Sequence, residues 1–406
     1  MNVHPPRTGA AGPRGPGVRA DCWIAVTPAA RGGLSIEIKS KVGSMYGRAL
    51  RELVEAGLGA LELAHAAVEV EDGGALPFTV AARLEAAARR ALPDLDRQFL
   101  IPAPPGGPPV EPLPRRERLR RSRLYLPGNE PRFMPNAGLH RPDAIILDLE
   151  DSVAPAVKDE ARLLVRNALH ALDFGGAERM VRVNQLPRGL EDLPFVVPHG
   201  LEVVLIPKCE SAEEVRQVER DVREIAHAAE VAPPFLMPIV ESARGALHAA
   251  EIAAASDLVA ALTIGLEDYT ADLGATKSRE GAESFWARST LVAAARAAGV
   301  QPIDSVYGDI DDMEGLRDWG ERSRALGFVG MGCIHPRQIP VIHQAFAPTP
   351  EEIERAVRIV EAFEAAQAAG LGVVALGSKM IDAPVVKRAQ FTVQQAREMG
   401  LLREES

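Results

Sequence analysis

The sequence predicts an α/β protein in which a closed TIM-type (β/α)8 barrel with a C-terminal lid extension follows a small α+β module. Eight short apolar runs recur after residue 118, with amphipathic helical stretches between them. Runs that are apolar throughout are typical of parallel strands buried on both faces. Eight such units in roughly 230 residues match the size of one barrel. An open doubly wound sheet is the alternative, but no Gly-rich dinucleotide-binding motif follows the first run.

The N-terminal part of the chain divides into three predicted segments. Residues 1–18 hold Pro, Gly and Arg with little apolar surface, which predicts a disordered leader. Residues 19–95 predict an α+β domain: the strands "CWIAV" and "LSIEI" around an "RGG" turn, a helix over 42–56, then strand, "DGG" turn, strand and helix. The Pro/Gly-rich residues 96–117 predict a semi-extended linker.

The barrel itself is predicted over residues 118–346. Its strand candidates are, in order, "SRLYLPG", "AIILDLE", "MVRVN", "EVVLIPK", "FLMPIVES", "LVAALTIGL", "PIDSVYG" and "FVGMGCIHP". Residues 347–406 then predict a helix, a short apolar segment with glycines, and a terminal helix. We assign this last part to C-terminal helices and a lid.

Composition and charge narrow the class of partner. The net charge of −10 over 406 residues leaves no basic field to collect phosphates, which argues against nucleic acid and anionic membranes as partners. Cys22, Cys209 and Cys333 are widely spaced and odd in number, which fits reduced thiols better than a disulfide framework or a zinc site. No apolar run approaches the about 18 residues of a membrane span. We therefore expect a cytoplasmic protein.

Polar residues follow the predicted strands, at the end of a barrel where active sites lie. A ring of carboxylates repels itself unless a cation sits among them, and hard oxygen ligands suit Mg²⁺ or Mn²⁺. Glu241 and Asp268, on adjacent strands, are our choice of metal ligands. Asp148 has two equally weighted interpretations, a catalytic role and a buried ion pair with Lys208 or Arg182. The strand-end candidates are Asp148, Glu150, Asp151, Arg182, Asn184, Lys208, Glu210, Glu241, Glu267, Asp268, Asp304 and His335.

Motifs linked in order and spacing, among them "DAIILDLEDSVAPAVKDEAR", "IVESARG", "IGLEDYTADLG" and "SKMIDAP", resemble the beta chain of citrate lyase from about residue 118 to the end. That family, the HpcH/HpaI aldolase and citrate lyase family, includes citryl-, malyl- and citramalyl-thioester lyases. The resemblance implies Mg²⁺ at Glu241 and Asp268, with Arg182 as the substrate clamp. It further implies that the C-terminal extension covers a neighbouring subunit's site and supplies Asp382, in a homotrimer or a multiple of trimers.

We also assign Asp148, Glu150 and Lys208, with Arg182, to substrate binding. Lys208 is interpreted as an ion-pair partner, because a metal site makes a lysine Schiff base unnecessary. Arg182 and Asp382 are the predicted catalytic residues.

The small domain, over about residues 17–93, resembles the gamma chain of citrate lyase, an acyl carrier protein. In that family a serine two residues before an aspartate bears the phosphoribosyl-dephospho-CoA group. Aligned on Asp21, this position is Arg19, which has no hydroxyl to esterify. We therefore expect no cofactor attachment, and a substrate that is a free CoA thioester or a thioester on a separate acyl carrier protein.

The predicted reaction is a retro-Claisen cleavage of a 3-hydroxy-3-carboxyacyl thioester, with citryl-thioester giving acetyl-thioester and oxaloacetate. The alternatives are a malyl- or citramalyl-CoA lyase, a CoA-independent class II pyruvate aldolase, and a non-catalytic scaffold. The intact set of Arg182, Glu241, Asp268 and Asp382 argues against the scaffold.

Overall fold

A four-stranded sheet and a closed eight-stranded parallel barrel organise the described part of the chain, and a two-stranded hairpin lies near its C-terminal end. The computed structural model describes residues 7–102, 116–368, 374–376 and 379–402. Most of the predicted linker, residues 103–115, lies outside the described residues, as do residues 1–6 of the predicted leader.

The N-terminal sheet has the strand order β1-β2-β4-β3 and is covered on one side by two helices. β3 pairs with β4 in parallel, whereas β1 with β2 and β2 with β4 are antiparallel. Alternate residues of β4, namely Ala66, Val68 and Val70, are buried, as one covered face requires. The elements are β1 (Gly9–Ala11), β2 (Cys22–Pro28), β3 (Leu34–Ser40), α1 (Gly43–Ala60), β4 (Ala66–Asp72) and α2 (Pro77–Ala91).

Two local predictions in this domain are wrong. β1 lies inside the predicted disordered leader, where Gly9 passes so close to α2 that a Cβ atom would come within 2.1 Å of the Ala87 carbonyl oxygen. The strand predicted after the "DGG" turn is instead the start of α2, with Pro77 in its first turn. Proline favours the first turn of a helix, since its missing N–H has no partner there.

The barrel prediction is confirmed, and each of the eight strands overlaps one predicted run; six lie within the run, and two begin before it, at Glu178 and Gln301. The barrel closes where β12 pairs with β5, with Cys333 opposite Leu124. Apolar side chains from alternate strand positions, among them Ile146, Met180 and Leu205, fill its interior. The strands are β5 (Ser122–Pro127), β6 (Ala144–Asp148), β7 (Glu178–Arg182), β8 (Val203–Ile206), β9 (Phe235–Val240), β10 (Ala261–Ile264), β11 (Gln301–Asp304) and β12 (Gly330–Cys333).

Helices between the strands form the outer layer. Ser211 and Glu214 form a capping box that fixes the start of α5, immediately after the loop that carries Lys208. None of the helices in the described ranges combines the length and apolar character needed to cross a bilayer. The helices are α3 (Lys158–Ala171), α4 (Leu193–Val196), α5 (Ala212–Ala228), α6 (Ala243–Leu247), α7 (Ala249–Ala253), α8 (Leu266–Leu273), α9 (Phe285–Ala297), α10 (Met313–Leu326) and α11 (Gln338–Phe346).

The N-terminal domain is docked on the barrel through α2, which is buried along most of its length against α3. Glu85 of α2 accepts hydrogen bonds of 2.7 and 3.1 Å from Arg166 of α3, and neither side chain is exposed. Arg83 of α2 pairs with Asp21 at 2.8 Å and lies 3.7 Å from Glu160 of α3. Buried ion pairs of this kind hold the domain in one orientation.

The C-terminal extension consists of α12 (Pro350–Ala368), the hairpin β13 (Val374–Leu376) and β14 (Lys379–Ile381), and α13 (Ala383–Glu398). α12 and α13 pack on each other through an apolar cluster that includes Ile359 and Val393. Phe391 of α13 lies 5.9 Å from the guanidinium of Arg296, in the last turn of α9. The second half of α13 therefore lies near the end of the barrel at which the strands begin.

Candidate active site

A cavity of about 450 Å³ opens at the carboxyl ends of the barrel strands. It brings together six of the twelve strand-end candidates, namely Asp148, Asp151, Arg182, Glu241, Glu267 and Asp268. The polar side chains that line it are Arg123, Tyr125, Asp148, Asp151, Ser152, Arg182, Glu241, Thr263, Glu267, Asp268 and Ser305.

Asp148 and Arg182 form the first pair in this cavity, at the ends of the adjacent strands β6 and β7. Arg182 donates two hydrogen bonds to Asp148, 2.7 Å from Nε and 2.8 Å from Nη2. The backbone N–H groups of Glu150 and Ser152 donate to the same carboxylate at 2.9 and 3.1 Å. Burial acts to raise the pKa of Asp148, but the bonds from Arg182 outweigh it and lower the pKa. With its oxygens occupied, Asp148 holds Arg182 in place, as the ion-pair interpretation predicted.

Lys208 belongs to a second ion-pair group beside the first. Its Nζ contacts the carboxylate of Glu150 and lies 3.2 Å from Asp151. Glu150 also lies 3.0 Å from Nη1 of Arg182. Burial acts to lower the pKa of Lys208, but the contact with Glu150 outweighs it and raises the pKa. Lys208 is therefore an ion-pair partner of Glu150 and Asp151 in this structure.

Glu241 and Asp268 are the third group, and they contact each other. Burial and a hydrogen bond with Asp268 raise the pKa of Glu241 to about 8. The backbone N–H of Lys208 donates to Glu241 Oε1 at 3.2 Å. Gly265 makes room for this carboxylate, because a Cβ atom there would lie 2.8 Å from Glu241 Cγ. Glu241 is buried and Asp268 is half-exposed, and two carboxylates this close repel each other unless a proton or a cation lies between them.

This donor set fits a hard divalent cation. In the described parts of the chain, no three or more His, Cys, Asp or Glu side chains are arranged to enclose a metal ion by themselves. Magnesium needs only one or two protein carboxylates, since water and substrate complete its coordination. Glu241 and Asp268 match that requirement.

Asp382 lies apart from the cavity in this chain. It is exposed, precedes α13, and accepts a hydrogen bond of 3.2 Å from the N–H of Val385 as the cap of that helix. It is not among the residues that line the cavity of its own barrel. The structure thus brings together Arg182, Glu241 and Asp268 but not Asp382.

Two residues of strand β5, Tyr125 and Arg123, are among the cavity residues that the sequence reasoning missed. The ring of Tyr125 lies 5.3 Å from the guanidinium of Arg182. Arg123 lies two residues earlier on the same strand and is 1% exposed. The sequence did carry a signal for Arg123, because a charged residue inside an apolar strand can mark a functional position. The run "SRLYLPG" was nevertheless interpreted only as a strand.

Arg19, at the position of the expected serine, lies in an exposed loop before β2. The next residue, Ala20, has a φ of 55°. Asp21, on which the resemblance is aligned, is buried and accepts hydrogen bonds from Arg83 at 3.1 and 2.8 Å. The aspartate of the motif therefore serves the packing of the domain.

Two family models match the chain in the two parts that the fold separates. Residues 121–336 match the model for HpcH/HpaI aldolase/citrate lyase, and residues 17–91 match the model for the malonate decarboxylase delta subunit (MdcD), an acyl-carrier-protein model. The resemblances predicted for both parts are confirmed.

Curated relatives and a solved structure agree with the barrel match. The chain is 41% identical over 284 residues to citrate lyase subunit beta of Haemophilus influenzae, covering 69% of this chain and 98% of the relative. It is 36% identical over 290 residues to mitochondrial citramalyl-CoA lyase of Homo sapiens, covering 68% of this chain and 84% of the relative. The structure of CitE from Mycobacterium tuberculosis with magnesium, acetoacetate and coenzyme A is 35% identical, with a TM-score of 0.57, covering 69% of this chain and 98% of that one.

Proposed function

Because the chain belongs to the HpcH/HpaI aldolase/citrate lyase family and is a carbon-carbon lyase, we propose that it cleaves citryl-thioester to acetyl-thioester and oxaloacetate. The observation that carries this proposal is the cavity in which the Glu241–Asp268 carboxylate pair lies beside the cation Arg182. During the cleavage one negative charge passes from the alkoxide oxygen of one fragment to the enolate oxygen of the other, and the cavity offers a separate cation or cation site for each position.

Glu241 and Asp268 would hold Mg²⁺, with Mn²⁺ as a possible substitute. The bound ion would supply Lewis-acid chemistry, lowering the pKa of the substrate hydroxyl and fixing the 2-oxo acid that leaves. The burial of Glu241 supports this assignment, because a buried carboxylate that has no cation is expensive to ionise.

Arg182 would stabilise the thioester enolate that forms when the carbon-carbon bond breaks. The electron pair of that bond passes to the thioester carbonyl, whose oxygen then needs a fixed positive charge. Asp148 supports this role because its hydrogen bonds to Nε and Nη2 fix the orientation of the guanidinium, whose Nη1 lies 3.0 Å from Glu150. Asp148, Glu150 and Lys208 would then act on substrate binding chiefly by holding Arg182 and the surrounding loops.

Cleavage removes one proton from the substrate hydroxyl and adds one to the enolate carbon, so no proton is consumed overall; Asp382 would give the proton to the enolate carbon and take it back in the condensation direction. We propose that it does so in a neighbouring subunit of a homotrimer or a multiple of trimers. Two facts favour action between subunits: Asp382 is exposed in its own chain, and α13 contacts the opposite end of its own barrel at Arg296.

The thioester would come as a free CoA thioester or on a separate acyl carrier protein. The N-terminal domain has Arg19 where a prosthetic group would be attached, and α2 fixes the domain on α3. Both facts favour a structural role for the domain over delivery of substrate.

The test is incubation of the purified protein and Mg²⁺ with citryl-, malyl- and citramalyl-CoA, with the released 2-oxo acid identified by mass. Oxaloacetate from citryl-CoA, lost on addition of excess chelator, is the expected result. Release of glyoxylate or pyruvate alone would favour the malyl or citramalyl alternative. Turnover of free 2-oxo-acid aldols without any thioester would favour the class II aldolase.

A further inference from the structure

Arg123 lies inside the barrel, at the deep end of the active-site cavity. It is the second residue of β5, and it faces the same side of the strand as Tyr125, which packs with the apolar residues of the barrel interior. Its side chain is 1% exposed. It nevertheless lines the cavity, together with Ile239 and Thr263.

The contacts of Arg123 are all uncharged. Nη1 lies 3.0 Å from the sulfur of Met237, and Nη2 donates to Thr263 Oγ1 at 2.9 Å and to the Asp304 carbonyl oxygen at 3.4 Å. Nε has no hydrogen-bond partner among the described residues. No ion pair of Arg123 with a carboxylate is present in the described ranges of the chain. Burial lowers its pKa, as expected for a cation in an apolar interior.

Other deeply buried arginines in this protein have a carboxylate partner. Asp304, whose carbonyl oxygen faces Arg123, directs its carboxylate to Arg288 and Ser323. A buried charge costs free energy unless it is paired with an opposite charge. Arg123 therefore differs from the other buried arginines, because its guanidinium has no carboxylate partner among the described residues. The pairs are Arg83–Asp21, Arg120–Glu178, Arg166–Glu85 and Arg288–Asp304.

The partner that suits a free guanidinium in a ligand cavity is a carboxylate, which it binds through two parallel hydrogen bonds. Within the family, substrates differ at the carbon that carries the hydroxyl group. Citryl-thioester has a carboxymethyl group there, citramalyl-thioester a methyl group and malyl-thioester a hydrogen atom. Of these three substituents only the first carries a charge.

We propose that Arg123 determines substrate specificity by binding the carboxylate of the carboxymethyl group, so that the enzyme selects a citryl-type thioester. The inference rests on the proposed function, since it needs a thioester of this class in the cavity. Arg123 is separate from Arg182 in this role: Arg182 faces the thioester and Arg123 faces the far end of the acyl group. A methyl group in that position leaves the buried guanidinium unpaired, and sites of this kind reject such analogues by roughly 10⁴-fold.

The decisive variant is Arg123→Met, which keeps an unbranched side chain in the interior and removes the charge. We expect its kcat/KM for citryl-CoA to fall by at least roughly 100-fold. Its kcat/KM for citramalyl-CoA should stay the same or rise. The matched control is Arg132→Met, an exposed arginine outside the cavity, which should leave both values unchanged. Because the lost charge is unpaired, the Tm of Arg123→Met should equal or exceed that of the wild type.

A binding measurement separates this inference from the proposed function. Calorimetric titration with oxaloacetate and with pyruvate, both with Mg²⁺, should give tighter binding of oxaloacetate in the wild type and no preference in Arg123→Met. If the wild type cleaves no thioester yet shows this Arg123-dependent preference, the proposed function fails and the assignment of Arg123 as a carboxylate site stands. If the wild type cleaves thioesters but Arg123→Met loses both activities equally, or keeps the oxaloacetate preference, the inference is overturned and the proposed function stands.

Discussion

Glu241 at the end of the barrel strand β9 and Asp268 in the first turn of α8 bring their carboxyl groups together at the active-site cavity. Burial and the nearby carboxyl group of Asp268 raise the pKa of Glu241 to about 8, so the folded chain holds a proton at Glu241 over most of the neutral range. A metal ion bound at the pair must displace that proton. The chemistry of the site and the stability of the metal-free protein are therefore linked through one group.

The first prediction concerns the pH dependence of stability without metal. The pKa of Glu241 is about 8 in the folded chain and near its ordinary value of 4.5 in the unfolded one, so the folded protein binds an extra proton between these values. The free energy of unfolding in EDTA should therefore fall as pH rises from about 4.5 to about 8, and level off above. Glu241→Gln should remove this fall and be more stable than the wild type at pH 8.5, by up to roughly 4 kcal/mol.

The check is urea unfolding at pH 5.5 and 8.5, in EDTA and in excess Mg²⁺. Mg²⁺ should stabilise the wild type at pH 8.5 and have little effect on Glu241→Gln, which should also lack lyase activity. The exposed Glu213→Gln serves as the control and should behave as the wild type. Equal stabilisation of Glu241→Gln and wild type by Mg²⁺ would show that the ion binds elsewhere.

The second prediction separates Arg182 from the residue that positions it. Arg182→Ala removes the cation at the enolate and should lower kcat by roughly 10² to 10³-fold at saturating substrate. Asp148→Asn keeps the cation but weakens the bonds that orient it, so kcat should fall by less, up to roughly 100-fold. Steady-state kinetics with citryl-CoA give both values, with the exposed Asp257→Asn, outside the cavity, as the control for Asp148→Asn. If Arg182→Ala raises KM and leaves kcat unchanged, Arg182 binds the substrate but does not stabilise the enolate.

The barrel could be predicted from sequence because each buried parallel strand is apolar on both faces and is followed by a polar residue at its end. Asp148, Arg182, Glu241 and Asp268 could be found for the same reason, since their positions follow from where the strands stop. Strand β1 could not, because Gly9–Ala11 has too few side chains to show a period and is fixed by a distant neighbour, α2.

Arg123 illustrates a second limit of sequence reasoning. Its place in the strand could be predicted, but whether it faces the barrel interior or the helices depends on the register with which the barrel closes. That register is set by pairs such as Arg123 with Gly332 and with Ala144, which are far away in sequence. The absence of a carboxylate partner within the described residues is likewise a property of packing that no local pattern carries.

The third prediction tests whether Asp382 acts between subunits. Asp382→Asn should lose turnover while keeping Mg²⁺ binding, because Asp382 lies outside the cavity of its own barrel. Mixing Asp382→Asn chains with Arg182→Ala chains should restore partial activity, since some sites in a mixed oligomer then have both groups intact. Native mass spectrometry verifies that mixed oligomers form. The baseline is the lyase activity of the double variant, in which every chain carries both Asp382→Asn and Arg182→Ala. No recovery in verified mixed oligomers would contradict action in a neighbouring subunit.

The fourth prediction concerns the missing prosthetic group. Arg19 has no hydroxyl, so protein purified from its own cell should show no phosphoribosyl-dephospho-CoA adduct by intact mass, and it should still cleave free CoA thioesters. Ser40 deserves a separate check, because it lines the same surface depression as Val18 and donates a hydrogen bond of 2.6 Å to Asp72. Peptide mapping of residues 1–95 covers it. An adduct of the cofactor mass on any residue in that range would contradict the prediction that the domain carries no prosthetic group.

The last prediction tests whether the N-terminal domain is a fixed part of the enzyme. The Glu85 side chain accepts hydrogen bonds from Arg166 across the domain boundary and from the N–H of Phe99, and it is fully buried. Glu85→Ala leaves the buried charge of Arg166 without its partner, which costs roughly 3 to 5 kcal/mol in other proteins. We therefore expect a lower transition temperature for the whole chain, with normal turnover per folded site below it.

Calorimetry and barrel activity measured over the same temperature range provide the check. The control is Glu52→Gln, which removes an exposed pair with Arg48 within one helix and should change stability by less than about 1 kcal/mol. One transition that shifts as a unit, with loss of activity at the same temperature, would show that the barrel depends on the docked domain. An early separate transition that leaves the barrel active would mean that the domain unfolds by itself, and its contacts with α3 would then be dispensable for the lyase.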